Sequence, residues 1–202
     1  MRPPAIAVLE FASVAAGVKA ADAMLKRAPV ALFKAGTIHP GRYIVLVGGT
    51  VASVQEAHRE GCAANPAFLL DEVLLPDVHP DVYDAVLGSR QEAANDTLGV
   101  VETRGVASII RAADAAVKGA FVQVTELRMA DDLGGNSFFL LDGLVADVQT
   151  GVRLAMERAG KELLFGASIP RLDPTLRDAL SAGTTFKACG LLQPEGAEGV
   201  AR

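Results

Sequence analysis

The sequence predicts an α+β protein made of two tandem, ferredoxin-like units, each an antiparallel sheet with helices on one side. Three observations lead there. First, the chain repeats itself at a shift of 92 residues: Val8, Glu10, Val14-Ala15, Ala20-Ala21-Asp22-Ala23, Lys26, Ala28 and Val30 return as Val100, Glu102, Val106-Ala107, Ala112-Ala113-Asp114-Ala115, Lys118, Ala120 and Val122. Second, that period is far longer than a solenoid repeat, so each copy is a whole small domain. Third, each copy alternates short apolar runs with stretches of helical periodicity, the mark of strands interleaved with helices.

The elements follow in order. A strand at Ile6–Glu10, repeated at Leu98–Glu102, opens each copy. A helix comes next, its apolar positions Val14, Val18, Ala21 and Leu25 recurring at three or four residues, as do Val106, Ile110, Ala113 and Val117. Lys19, Asp22 and Lys26 fall on the other face, with Arg111, Asp114 and Lys118 in the second copy. Second strands at Val30–Lys34 and Val122–Leu127 run into glycine-bearing loops, then third strands at Tyr43–Val47 and Phe138–Leu141. Gly48-Gly49 and Asp142-Gly143 turn the chain into a second helix, expected to close at glycine, Gly61 and Gly160. Final strands end at Pro76 and Pro170, and short helices start at Pro80 and Pro174, with His79 and Asp173 in the N-cap position. The first domain spans 4–88, a polar linker runs to Asp96, the second domain spans 97–182, and 183–202 reads as a loose, small-residue tail.

Composition narrows the function. Half of the residues are hydrophobic but none is tryptophan, so the cores rest on Ala, Val, Leu and Ile. A net charge of −5 without a dense basic cluster argues against nucleic acid or a membrane surface as partner. No apolar run approaches the ~18–20 residues of a membrane span, and Glu10 and Lys19 interrupt any leader-like segment, so a cytoplasmic protein is expected. Cys62 and Cys189 lack metal-type spacing and read as reduced structural thiols. Three histidines, no Ser/His/Asp arrangement, no phosphate-cradling loop and no HExxH leave no catalytic constellation. Asp131-Asp132 is a carboxylate pair, but a loop doublet by itself is weak ground for acid–base chemistry. His58 is expected to lie exposed on the second helix.

Leu98-Gly-Val-Val-Glu-Thr-Arg-Gly-Val106, followed by Ala112-Ala-Asp-Ala-Ala-Val-Lys118, resembles the opening strand and helix of the bacterial microcompartment shell domain. Gly143-Leu-Val-Ala-Asp-Val148 resembles that family's turn into its second helix. The likeness covers both copies. A tandem pair implies the trimer-forming class, in which three chains make a pseudo-hexameric tile with a central pore. The order of elements is that of unpermuted, single-layer members, most similar to the propanediol-utilisation type, where Ala23-Met-Leu-Lys26 and Thr37-Ile-His-Pro-Gly41 show the likeness.

The resemblance implies a structural, non-enzymatic protein. Its expected partners are two further copies, hexameric and pentameric shell proteins, enclosed enzymes and small polar metabolites crossing the pore. It places two loops at the axis: Thr37, Ile38, His39, Pro40 and Gly41 from the first copy, and Ala130, Asp131, Asp132, Leu133, Gly134 and Gly135 from the second. Carboxylates ringed there favour cations or neutral solutes. It places Lys26 and Lys118, with Asp22 and Asp114 four residues before them, at the tile edge; read on their own, these pairs are an ordinary solvated helix face. In the similar class a cysteine just before Pro-Gly holds an axial iron–sulfur cluster. His39 stands there in this chain, and three histidines suit zinc, copper or nickel at least as well. No cofactor is required. The alternative is a soluble ligand-binding or redox protein of two ferredoxin-like domains with a metal at His39.

Overall fold

The computed structural model describes residues 3–187, 189–192 and 194. Its first unit comprises β1 (Ala5–Phe11), α1 (Val14–Arg27), β2 (Leu32–Ile38), β3 (Arg42–Gly49), α2 (Val51–Ala64), β4 (Leu69–Leu75) and α3 (Pro80–Val86). The second repeats it as β5 (Leu98–Thr103), α4 (Val106–Gly119), β6 (Val122–Met129), β7 (Ser137–Gly143), α5 (Val145–Ala159), β8 (Leu163–Ile169) and α6 (Pro174–Ala182). Each makes a four-stranded sheet, in the orders β2-β3-β1-β4 and β6-β7-β5-β8, with every pairing antiparallel. One irregularity recurs, the pairing with the last strand slipping after Glu10 in one sheet and after Glu102 in the other, while the slip between Val124 and Glu126 of β6 has no counterpart in β2.

Local chemistry sets the helix starts. Ser13 and Thr50 accept from Ala16 N and Ser53 N at the heads of α1 and α2. His79 and Asp173 cap α3 and α6 as their position before proline predicts, accepting from Asp81 N and from Thr175 N and Leu176 N. Alternation along β1 then divides its side chains. Ala5, Ala7, Leu9 and Phe11 meet α1 and α2, while Ile6 and Val8 turn to the opposite face, where Val78, Val82 and Val86 of the α3 segment cover them.

Several details differ from the sequence expectation. The second strand of the first unit begins at Leu32 and runs to Ile38, because Val30 N is taken up by the Ala28 carbonyl in the turn that leaves α1. Gly61 does not end α2, which continues to Ala64. A Cβ at Gly61 would lie 2.6 Å from Met24 Sδ and 2.8 Å from Leu9 Cδ2, so the glycine lets α2 approach α1 and the sheet. Gly160, at φ +58, does cap α5. His58 is largely covered, its Nε2 2.6 Å from Glu72 Oε2 on β4.

The largest difference concerns α1. Its core-facing residues are Ala16, Gly17, Ala20, Ala21 and Met24, and of the predicted apolar stripe only Ala21 is buried. Val14, Val18 and Leu25 remain 41%, 50% and 46% exposed. Their equivalents in α4, Val106, Ile110 and Val117, are 0%, 0% and 8% exposed. The cause is the neighbouring unit: α4 packs on α5 within its own unit and on β4 and α3 of the first. That seam also carries ions. Arg111 donates to the Asp71 carboxylate and the Glu72 carbonyl, and Glu10 Oε2 accepts from Val106 N at 2.8 Å. Arg111 and Asp114, expected on a solvated face, are therefore interdomain contacts.

Candidate functional site

The two loops singled out by sequence meet. The first, between β2 and β3, turns through a cis His39–Pro40 peptide and Gly41 at φ +83, closed by Gly41 N donating to the Ile38 carbonyl at 3.0 Å. Thr37, His39, Pro40 and Gly41 are exposed and Ile38 half-buried. The second, between β6 and β7, needs four successive departures into left-handed backbone, at Ala130, Asp132, Gly134 and Gly135. Leu133 N donates to the Ala130 carbonyl and Asn136 N to that of Leu133, so the loop is held by its own turns. Ala130 is buried, Leu133 half-buried, and Asp131, Asp132 and Gly134 are exposed. Arg128 Nη2 donates to the Asp131 carbonyl.

Gly135 is the point of contact: a Cβ there would lie 3.0 Å from Pro40 Cδ and 3.2 Å from Arg42 Cζ. Beside it, Thr37, Ile38, His39, Gly41 and Asp131 line an open recess of about 260 Å³. Arg42, which the sequence reading passed over, anchors this corner. Its Nη1 donates to Glu10 Oε1 at 2.6 Å and to the Arg104 carbonyl at 3.2 Å, and Glu10 is 1% exposed. One carboxylate thereby joins the first loop to the head of α4, where Gly105 offers no side-chain cap. The available signal was the return of Glu10 as Glu102 inside an apolar strand.

His39 brings one imidazole per chain. Among the described residues no group of three His, Cys, Asp or Glu side chains is arranged to hold a metal. A metal at His39 therefore requires donors from more than one copy. Cys62 lies 3.6 Å from His58 Nε2, and burial, with Glu72 adding, pushes its thiol up to about 11, which suits an inert structural thiol.

The four residues expected at an edge divide into two settings. Lys26 and Asp22 pair at 2.6 Å in the open, with side chains 75% and 59% exposed. Lys118 pairs with Asp114 at 2.7 Å and also donates to the Asp77 carbonyl, while Asp114 accepts from His79 N. The second pair thus clamps the turn between β4 and α3 of the first unit. The loops and these helix ends occupy different parts of the chain and do not form one site.

Comparison with known proteins gives this arrangement its family. The BMC domain model matches twice, over residues 5–78 and 97–172. Bacterial microcompartment shell protein PduT of Citrobacter freundii is 39% identical over 169 residues, covering 83% of this chain and 92% of that protein. Carboxysome assembly protein CcmO of Synechocystis is 30% identical over 196 residues, covering 89% of this chain and 65% of that one. Among solved structures, a microcompartments protein from Desulfitobacterium hafniense superimposes with a TM-score of 0.75 at 38% identity, over 86% of this chain and 98% of that one. A fused permuted hexameric shell protein from the RMM microcompartment shares the fold at 22% identity, with a TM-score of 0.56 over 77% and 83% of the two chains. These relatives give no support to the soluble ligand-binding or redox alternative. Two matched domains, with a full-length shell-protein relative, place this chain in the BMC-domain family as a tandem-domain structural shell protein of bacterial microcompartments.

Proposed function

We propose that three chains close into a ring, a pseudo-hexameric tile of the shell facet, with the paired loops around its axis. The observation that carries this is the contrast between α1 and α4. Val14, Val18 and Leu25 are left open, whereas Val106, Ile110 and Val117 are covered by the preceding unit. The complementary surface is also open. Phe165, Ile169 and Leu176 are 67%, 39% and 46% exposed, while Leu75 and Val82, the counterparts of the last two, are 7% and 0% exposed. The second unit of one copy can therefore cover α1 of the next as the first unit covers α4. Such a head-to-tail contact must propagate or close, and two units per chain in a six-place ring close at three chains. Covering each half-exposed side chain contributes roughly 1 kcal/mol, enough in sum to hold an assembly.

In the ring, Thr37–Gly41 and Ala130–Gly135 alternate around the opening, and three exposed Asp131 and Asp132 pairs favour cations and neutral polar metabolites. Lys26 and Lys118 face neighbouring tiles, which include hexameric and pentameric shell proteins, and the shell encloses enzymes in the cytoplasm. The chain itself catalyses nothing and needs no cofactor to assemble. Three His39 imidazoles from three copies supply the donors for one metal ion at the axis. Light scattering with electron microscopy tests the ring: particles of three times the 20.9 kDa chain mass that grow into sheets support it, and a monomer at every concentration overturns it.

A further inference from the structure

The same repeat logic reaches beyond the helices, to the chain that leaves each unit. The linker after α3 does not hang free. It crosses onto the second unit's outer strand, where Arg90 Nη2 donates to Glu126 Oε2 at 3.0 Å and Gln91 N to the Thr125 carbonyl at 2.9 Å. It then reaches Asp142, a 4% exposed carboxylate that accepts from Ala94 N, Asn95 N and Asn95 Nδ2. Together with α3 and α4, which pack against the same strand, the linker leaves the middle of β6 buried.

The counterpart of β6 is β2, and none of the described residues plays the linker's part there. β2 is the outer strand of its sheet and its central residues are exposed or half-exposed. Pairing of Lys34 with Leu46, and of Glu126 with Leu140, makes Lys34 the equivalent of Glu126. Glu126 receives Arg90 and Thr184, whereas the Lys34 ammonium has no ion pair or hydrogen bond among the described residues. Beside Lys34 the outer sheet face leaves a cavity of about 170 Å³, lined by Val8, Ala35, Ile44 and Leu46 and walled on its other sides by Val86, Met129 and Asp131.

The counterpart of the linker is the segment after α6: Arg90 and Thr184 stand equally far past the helices that begin at Pro80 and Pro174. That segment carries Phe186 and Leu191, 95% and 105% exposed. On the ring proposed above, on which this inference rests, α6 of one copy stands beside β2 of the next, as α3 stands beside β6. We propose that the segment following Thr184, whose hydroxyl stays on Glu126 of its own chain, passes onto the next copy. There it lies along the open side of β2 and seats Phe186 in the cavity beside Lys34. Each copy then grips its neighbour with a strap that the linker already forms within the chain.

The test replaces Phe186 by the photoreactive amino acid p-benzoylphenylalanine in the full-length chain. Light scattering is recorded first, then the sample is irradiated, run on a denaturing gel, and its crosslinks are mapped by mass spectrometry. The expected result is a trimer by light scattering that gives covalent dimers and trimers, with the probe joined to peptides spanning residues 32–48. A trimer whose crosslinks stay within single chains, or join copies at other surfaces, overturns the strap and leaves the ring standing. A monomer overturns the ring, and the strap with it.

Discussion

Glu10 is the residue on which most of the architecture converges. It is a strand carboxylate with almost no exposure, and it holds Arg42 beside the first loop while accepting the first amide of α4. A buried carboxylate so partnered leaves two unmet donors when removed. Glu10→Ala is expected to cost about 3 kcal/mol in urea denaturation, and Glu10→Gln less, because the amide oxygen still accepts from Val106 N. Gly61 is decided by contact rather than by backbone freedom. Gly61→Val drives methyls into Met24 and Leu9 and is expected to destabilise by about 1–3 kcal/mol, whatever valine gains in helix propensity over glycine. Cys62 offers a check on burial. Its thiol is pushed up to about 11, so it stays protonated well above neutrality. Iodoacetamide at pH 8 should label it on the order of tenfold or more slowly than the same thiol in urea, and equal rates would contradict the burial.

At the scale of elements, α1 and α4 share eleven of the twenty-four positions in their strand–helix segment and yet live in different surroundings. Ile110 lies between two units, and Ile110→Glu is expected to unfold the chain. Val18→Glu changes only a half-exposed position, so far-ultraviolet circular dichroism should remain that of the folded protein while the light-scattering mass falls to one chain. A trimer that survives Val18→Glu places the contact elsewhere. The loops divide similarly. Leu133, Gly134 and Gly135 are held by turns within the second loop, whereas the first loop leans on Arg42 and Glu10. Replacing Asp131 and Asp132 by asparagine should therefore leave melting within about 1 kcal/mol of the parent, since both are exposed.

For the whole molecule, two assembly steps separate cleanly. Among the described residues Lys26 pairs only with Asp22, and both are open to solvent, so Lys26→Glu is expected to leave folding intact. It is expected to abolish sheets in electron micrographs while leaving trimers intact; sheets that persist unchanged would remove Lys26 from the tile edge. Lys118 is a poorer probe, because it also holds the Asp77 carbonyl and Asp114 and so supports the seam between units. At the axis, elemental analysis of untagged protein is expected to find about one metal ion per trimer, lost in His39→Ala; trimers without metal would leave His39 as a bare pore-lining imidazole.

The sequence alone determined the duplication, the order of strands and helices, the caps at His79 and Asp173, and the family. These rest on local chemistry: spacing along one strand or helix, a proline after a capping side chain, and identity between copies. Only the tertiary structure decided which face of α1 is buried, that Gly61 is a contact rather than a cap, and that Arg42 and Glu10 join a loop to a helix in the other unit. The same apolar spacing in α1 and α4 could not say which stripe meets the protein's own core and which waits for a neighbour. That depends on what lies across the seam: the first unit lies across α4, while none of the described residues covers the Val14, Val18 and Leu25 stripe of α1.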